Sequence, residues 1–310
     1  MVSAWVKDLV DQYERALPQA DPRSRNWLLL CNSPIPVWVL TAVYLGFVAI
    51  GPRVMKDRQP LKMSTFLVVY NLGLVFLSVY MFVEIILSAY DAGYDFFCAK
   101  YNKDSWTNPR ETRVARVLWW YFFSKAIELL DTVLMILRKK NNQVTFLHVF
   151  HHASMLNIWW WVMMFIPGGL SYFGSCLNCL VHVAMYTYYG LSAIPSLREK
   201  LWWKKYITKF QLIQFVITFS HTAYSLTLSC DFPRWGQYLL SSYMVAMVIL
   251  FGNFYIQTYR RSRRLAHKDS KSAVNNGTTP GANGIKEHKN GGSHLKGDTN
   301  GYLRNRVKEQ

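Results

Sequence analysis

The sequence predicts an all-α polytopic membrane protein with seven transmembrane helices. Three observations carry this. Apolar blocks recur along the chain at about 20 residues each, the length an α-helix needs to cross a hydrocarbon core of about 30 Å. Short charged connectors join them, and the basic side chains concentrate in alternate connectors. From Arg260 onward the blocks stop, and a polar tail with few large apolar residues follows.

The elements follow in order. Residues 1–33 are polar and balanced in charge, with no short apolar core behind Met1, so no cleavable signal peptide is expected. The first span covers 34–51 and opens on Pro34 and Pro36, which a first helical turn tolerates because its N–H groups have no intrahelical partner. The second covers 65–88, the third 114–137 and the fourth 145–166. Pro167-Gly168-Gly169 forms a tight connector to the fifth, 170–190. The sixth covers 206–228 and the seventh 237–259. The fourth and fifth are less uniformly apolar than a lipid-facing helix, which suggests that they line an interior.

Orientation follows from Lys and Arg. Arg53, Lys56, Arg58 and Lys62 lie between spans one and two, and Arg138, Lys139 and Lys140 between three and four. Arg198, Lys200, Lys204 and Lys205 lie between five and six. These connectors and the tail are expected in the cytoplasm, with the N-terminus on the other side. An odd number of spans satisfies that. The expected organisation is a lumenal segment at 1–33, a membrane domain at 34–259, and a disordered basic cytoplasmic tail at 260–310. The tail's Arg306 and Lys308 resemble a dibasic retrieval signal for the endoplasmic reticulum. The net charge of +17 is explained by topology and anionic lipid, so no nucleic-acid partner is expected. Cys98 and Cys230 fall in connectors on the same non-cytoplasmic side and form a candidate disulfide.

Polar residues inside the spans are the functional candidates, because burying ionisable groups in a membrane is costly. His148, His151 and His152 form the run HVFHH and share one helical face at i, i+3 and i+4. Lys125, Glu128 and Asp131 recur every three residues in the third span. A structural ion-pair network and a catalytic role are both open to them, and the two are compatible. Asn178, His182, Met185, Tyr186 and Tyr189 form a stripe on the fifth span. Gln211, Gln214, Thr218 and His221 form another on the sixth.

Histidine clusters of this kind also serve membrane di-iron desaturases and hydroxylases. Those need several boxes, and this chain has five histidines before the tail and no second box. No metal is therefore expected. A non-enzymatic seven-helix receptor is a further alternative, disfavoured by the clustered intramembrane imidazoles. A transporter is disfavoured by the lack of any visible inverted repeat.

Four motifs stand in order and spacing. They are Lys125-x-x-Glu128-x-x-Asp131-Thr132, then HVFHH, then Asn178-x-x-x-His182-x-x-Met185-Tyr186-x-Tyr188-Tyr189, then Gln211-x-x-Gln214-Phe215. In this the chain resembles the ELO fatty-acid elongases over roughly residues 25–260. The resemblance implies a seven-helix enzyme of the endoplasmic reticulum whose bundle encloses an acyl-chain tunnel. Such an enzyme condenses a long-chain, polyunsaturated or very-long-chain acyl-CoA with malonyl-CoA to 3-ketoacyl-CoA, carbon dioxide and CoA. It uses no cofactor beyond these substrates. The reductases and dehydratase of the elongation cycle are implied partners, and the resemblance admits homo- or hetero-oligomers with other elongases.

The resemblance also selects His151 among its neighbours as the residue acylated by the thioester. His182 would orient malonyl-CoA and stabilise the enolate. His148 and His152 would set tautomers and assist proton movement. Asn178, Tyr186 and Tyr189 would donate to the developing oxyanion. Lys125, Glu128, Asp131, Gln211, Gln214 and His221 would support the site. Lys139, Lys140, Lys204 and Lys205 are placed to pair with CoA phosphates, although topology alone also accounts for them.

Overall fold

A computed structural model describes residues 4–101 and 103–260. The described residues are helical, with no strand among them. Helix α1 is Ala4–Ala16, α2 Ile35–Val54, α3 Ser64–Asp91, α4 Pro109–Leu137 and α5 Phe146–Phe165. Then follow α6 Ser171–Ser192, the single turn α7 Pro195–Arg198, α8 Lys204–Thr227 and α9 Arg234–Tyr255. Each expected span falls on one long helix, α2 to α6, α8 and α9. The tail with its disorder and retrieval-signal expectations lies, beyond residue 260, outside the described residues.

Two boundaries differ for a local reason. Helix α4 starts at Pro109, ahead of the expected 114, because Asn108 caps it. The Asn108 side chain accepts from the backbone N–H of Arg110 at 3.0 Å, and proline takes the first helical position. Residues 110–113 are charged or polar, so hydropathy alone stops short of them. Helix α1 was not expected, although Trp5, Leu9 and Tyr13 recur at helical spacing among its charged residues.

Among the described residues, three helices are long and apolar enough to cross a membrane by length and composition alone: α2, α3, and α9 with its extension to Thr258. The chain is a multi-pass membrane protein. Helices α4, α5, α6 and α8 fall outside that test, and they are the four that carry the polar stripes. Helix α3 shows how the bundle is held. Val69, Phe76, Val83 and Ile86 are exposed, whereas Asn71, Leu74, Ser78, Met81 and Ile85 are buried. Lipid is as apolar as valine, so contact between helices depends on close packing and internal hydrogen bonds. At the α3–α6 seam a Cβ on Gly190 would stand 3.3 Å from the Cβ of Asn71. The absence of a side chain there lets the two backbones approach.

The core runs along α4 and α5, where Leu118, Phe122, Leu156, Trp160, Met163 and Met164 are almost fully buried. At one end of the bundle the chain before α2 docks on the end of α5. The Asp21 N–H donates to the Met164 carbonyl at 2.7 Å, and the Ser24 hydroxyl donates to that of Met163 at 2.6 Å. Asp21 pairs with Arg23 at 2.7 Å and accepts from the Tyr101 hydroxyl. The disulfide between Cys98 and Cys230 joins the α3–α4 connector to the α8–α9 connector. Gly169 completes this cap. Its φ is +52°, and a Cβ there would meet Tyr101 and Phe232 at 2.8 Å. Only glycine accepts both conditions.

Candidate active site

The site is built from α4, α5 and α6. On α4 the Lys125 ammonium donates to Glu128 Oε1 at 2.8 Å, with both side chains 2% exposed. The same oxygen lies 3.3 Å from His182 Nδ1 and accepts from the Ser124 hydroxyl at 3.2 Å. Lys125 also donates to Asn178 Oδ1 at 3.1 Å, which accepts from the Tyr121 hydroxyl at 2.7 Å as well. With its carbonyl oxygen taken twice, Asn178 keeps its NH2 group to donate elsewhere. The stripe spacing thus does what it predicts for Lys125, Glu128, Asn178 and His182: two helices bring four polar groups to one point. Glu128 Oε2 is buried and has no partner.

Asp131 stands one turn further along α4 and is held separately. Tyr70 from α3 donates to it at 2.8 Å and Tyr186 from α6 at 2.9 Å. The proton that Tyr186 was expected to offer an oxyanion is therefore already given to a carboxylate. Through this bond Tyr186 braces α4 against α6.

The histidine run occupies the first two turns of α5. The helix starts there because the Thr145 side chain caps it, accepting from the His148 N–H at 3.2 Å. The His148 ring nitrogen Nε2 lies 2.8 Å from the Thr132 hydroxyl of α4, which in turn meets the Tyr44 hydroxyl of α2 at 3.0 Å. The His148 and His152 rings are 4.4 Å apart, and those of His151 and His152 5.5 Å. His151 reaches the other way, with Nδ1 3.3 Å from the Tyr243 hydroxyl of α9. Tyr243 meets Ser154 at 2.9 Å. The shared face therefore splits between two neighbours, His148 toward α4 and His151 toward α9.

An elongated, mainly apolar cavity lies between α5, α6, α8 and α9. Its empty space, open solvent included, is about 830 Å³. Tyr121, Asn178, Met155 and Tyr243 line one end, and Ile166, Leu170, Phe232 and Gly236 the other. The first set touches the polar groups just described and the second belongs to the disulfide-bearing cap. The box imidazoles do not line the cavity. His151 meets its wall through Tyr243. Gln214 and Thr218 of α8 line it midway, each with a buried oxygen that lacks a hydrogen-bond partner.

Other expected site residues fall elsewhere. His221 bonds the Phe96 carbonyl at 2.6 Å and stacks on Phe173 at 3.8 Å. It ties α8 to the α3–α4 connector at the cap. Tyr189 is 39% exposed beside Tyr186 and Tyr188. Gln211 contacts the Met185 sulfur at 3.7 Å. Lys139, Lys140, Lys204 and Lys205 sit at the helix ends on the histidine side. The Lys139 ammonium donates to the Lys56 carbonyl at 2.7 Å, and Lys205 lies over the Tyr206 ring at 5.1 Å. Lys204 is half-buried, and that burial lowers its pKa. Among the described residues no group of three or more His, Cys, Asp or Glu side chains is arranged to hold a metal ion. Sequence reasoning missed Tyr243, Ser154, Tyr70 and Tyr44. Each is a single polar residue in an apolar helix, and nothing in local spacing separates it from packing.

Comparison with known proteins agrees with this layout. The GNS1/SUR4 family model, ELO, matches residues 29–267. A protein named very long chain fatty acid elongase 5 from Xenopus tropicalis is 49% identical over 269 residues, covering 86% of this chain and 90% of its own. Its human namesake is 46% identical over 272 residues, covering 88% and 90%. Very long chain fatty acid elongase 2 from Rattus norvegicus is 48% identical over 276 residues, covering 87% and 98%. The connectors 137–144 and 201–204 look like those of very long chain fatty acid elongase 4, whereas these relatives carry the names elongase 5 and elongase 2. The match spans every helix that builds the cavity and its polar end, and the chain belongs to the ELO family.

Proposed function

We infer that the histidine cluster is the condensing centre of this protein, a very-long-chain fatty-acid elongase. The enzyme is a 3-ketoacyl-CoA synthase that joins an acyl-CoA to malonyl-CoA. The observation that carries the assignment of the centre is the junction between chemistries. Tyr243 and Asn178 line an apolar cavity on one side and touch His151 and the Lys125–Glu128–His182 group on the other. A fatty acyl chain needs the first environment and its thioester the second.

In this reading the seven long helices all cross the membrane and enclose the cavity as the acyl tunnel. The acyl chain lies along it toward the Cys98–Cys230 cap, and CoA stays at the histidine end among Lys139, Lys140, Lys204 and Lys205. That end faces the cytoplasm, and the N-terminus the lumen of the endoplasmic reticulum. Very long or polyunsaturated chains suit the elongated cavity. The reductases and dehydratase that complete the cycle take the product.

The chemistry runs in two steps. His151 attacks the acyl carbonyl, a C–N bond forms, and the C–S pair leaves on CoA as thiolate. Malonyl-CoA then loses carbon dioxide, and its enolate carbon attacks the acyl-imidazolium. The C–N bond breaks and neutral imidazole returns. Asn178, its NH2 left over by Tyr121 and Lys125, donates to the oxyanion. Glu128 accepts the Nδ1–H of His182 and so fixes that ring to face the enolate through Nε2. His148 and His152 carry protons between the steps. The rival chemistry is direct transfer between the two thioesters, with the histidines acting only as bases.

Mass spectrometry of purified protein given acyl-CoA without malonyl-CoA separates the two. An acyl adduct on His151 is expected. No adduct, together with full activity in His151→Ala, would leave only direct transfer.

A further inference from the structure

His151 has a second neighbour set that the condensation scheme does not use. The Ser154 hydroxyl lies 3.2 Å from the His151 backbone carbonyl and 2.9 Å from the Tyr243 hydroxyl. The Tyr243 hydroxyl lies 3.3 Å from His151 Nδ1. The protons in this chain can be placed from one end. A carbonyl only accepts, so Ser154 gives its single hydrogen to the His151 carbonyl. Ser154 is then the acceptor toward Tyr243, and Tyr243 gives its single hydrogen to Ser154. The Tyr243 oxygen remains as an acceptor, and the Nδ1 atom facing it must carry hydrogen. A neutral imidazole protonated on Nδ1 has its lone pair on Nε2.

We propose that Tyr243 and Ser154 are positioning residues that hold His151 as the Nδ1–H tautomer, so that Nε2 is the atom that attacks the thioester. This rests on the reading of His151 as the acylated residue. The arrangement also acts after the attack. The new C–N bond leaves a positive imidazolium, balanced by the departing CoA thiolate, and its Nδ1–H then donates to Tyr243 as a charged group. Hydrogen bonds to charged groups are about twice as strong as neutral ones. The contact therefore strengthens along the reaction coordinate, which is what speeds a step. Helix α5 supplies the serine one turn after the histidine. Helix α9 supplies the tyrosine from the wall of the cavity, so the nucleophile is held by the surface that receives the acyl chain.

The test uses the full chain purified in detergent. The rate of adduct formation from acyl-CoA alone is measured by quenched mass spectrometry, and kcat and KM are measured separately in the complete reaction. Tyr243→Phe should lower the adduct rate and kcat by about tenfold to a hundredfold, the range expected for losing a hydrogen bond to a charged group. Its KM for acyl-CoA should stay within about twofold, since ground-state binding is not touched. Ser154→Ala should cost roughly three- to tenfold, and Ser154→Thr, which keeps the hydroxyl, should recover most of that. Nitrogen-15 spectra of labelled histidine should show the His151 proton on Nδ1 in the native chain and a mixture of tautomers in Tyr243→Phe.

A slow Tyr243→Phe with an unchanged tautomer would make the tyrosine merely structural and overturn the proposal. So would native rates in that variant while His151→Ala is inactive. An adduct or full activity in His151→Ala would instead overturn the nucleophile assignment on which the proposal stands. If Tyr243→Phe does not fold, the same readings on Ser154→Ala decide.

Discussion

Both ends of the helix bundle bury ionised side chains, and the two ends treat them differently. At the disulfide-bearing cap both Asp21 oxygens are filled, by the guanidinium and backbone N–H of Arg23 and by the Tyr101 hydroxyl. At the histidine end Glu128 Oε1 accepts from Lys125 and Ser124 and faces His182, while Oε2 has no partner. Buried polar groups are normally satisfied, so an unfilled acceptor marks either a cost or a use. The cap is a clamp whose hydrogen bonds are spent on its own residues. The histidine end holds back valences, on Glu128, on the Asn178 amide and on the imidazoles, next to a cavity.

His151→Ala should show the largest contrast. Condensation should fall by about three orders of magnitude or more, while the unfolding temperature in detergent stays near the native one. Loss of folding with loss of activity would erase the distinction between the two ends.

Lys125→Met should come next. It leaves Glu128 ionised, buried and short of its cation, which costs about 3–5 kcal/mol. Denaturant titration should read the loss, and activity should vanish with it. A stable, active Lys125→Met would show that the pair is incidental.

Asp21→Asn tests the clamp from the other side. Arg23 loses its paired carboxylate and keeps the Ser105 carbonyl, and stability should fall by about 3 kcal/mol. Turnover per folded molecule should stay within about twofold, since no cavity-lining residue changes. A large drop in kcat without loss of stability would make the cap part of the active site.

Smaller again is Gly169→Ala, expected to cost about 2 kcal/mol from positive φ and the clash with Tyr101 and Phe232. Gly93, with φ +71° and open space around it, should cost only about 1 kcal/mol as alanine. Equal effects at both glycines would deny the tight packing of the cap.

The least effect concerns pH. Glu111, in the first turn of α4 ahead of the apolar stretch, accepts from the Tyr94 hydroxyl at 2.6 Å. Burial raises its pKa above the ordinary 4.5, against the opposing pull of the Tyr94 bond and of Arg23. A carboxyl with a higher pKa folded than unfolded favours the folded state below its unfolded value. That contribution disappears as pH rises through the folded value. Glu111→Gln should flatten the fall in unfolding temperature over that range. An unchanged slope would place the titration elsewhere.

The comparison also explains what could be read in advance. The long helices were legible because apolar blocks of helical length alternate with charged connectors, and α2, α3 and α9 carry that signal by composition alone. Lys125, Glu128, Asn178 and His182 were legible because a membrane leaves a charged helical face nowhere to go but inward. The same periodicity did not set Tyr189 and His221 apart from the rest of their stripes. It gives the angle around a helix and says nothing of how far along the axis the covering neighbours extend. Tyr189 lies past the covered stretch, and His221 reaches the opposite end.

Sequence alone determined the all-helical membrane architecture, the inward stripes and the histidine cluster. These rest on short-range periods and on the cost of burying charge. Tertiary structure alone decided that His151 turns to Tyr243 on α9, 92 residues away, and that Tyr186 spends its proton on Asp131. It also decided that Gly236 and Phe232 line the cavity beside the disulfide-tied cap. Those facts depend on which helix stands beside which. In a membrane, that choice is made by the fit of side chains against one another, because lipid offers every apolar face the same welcome.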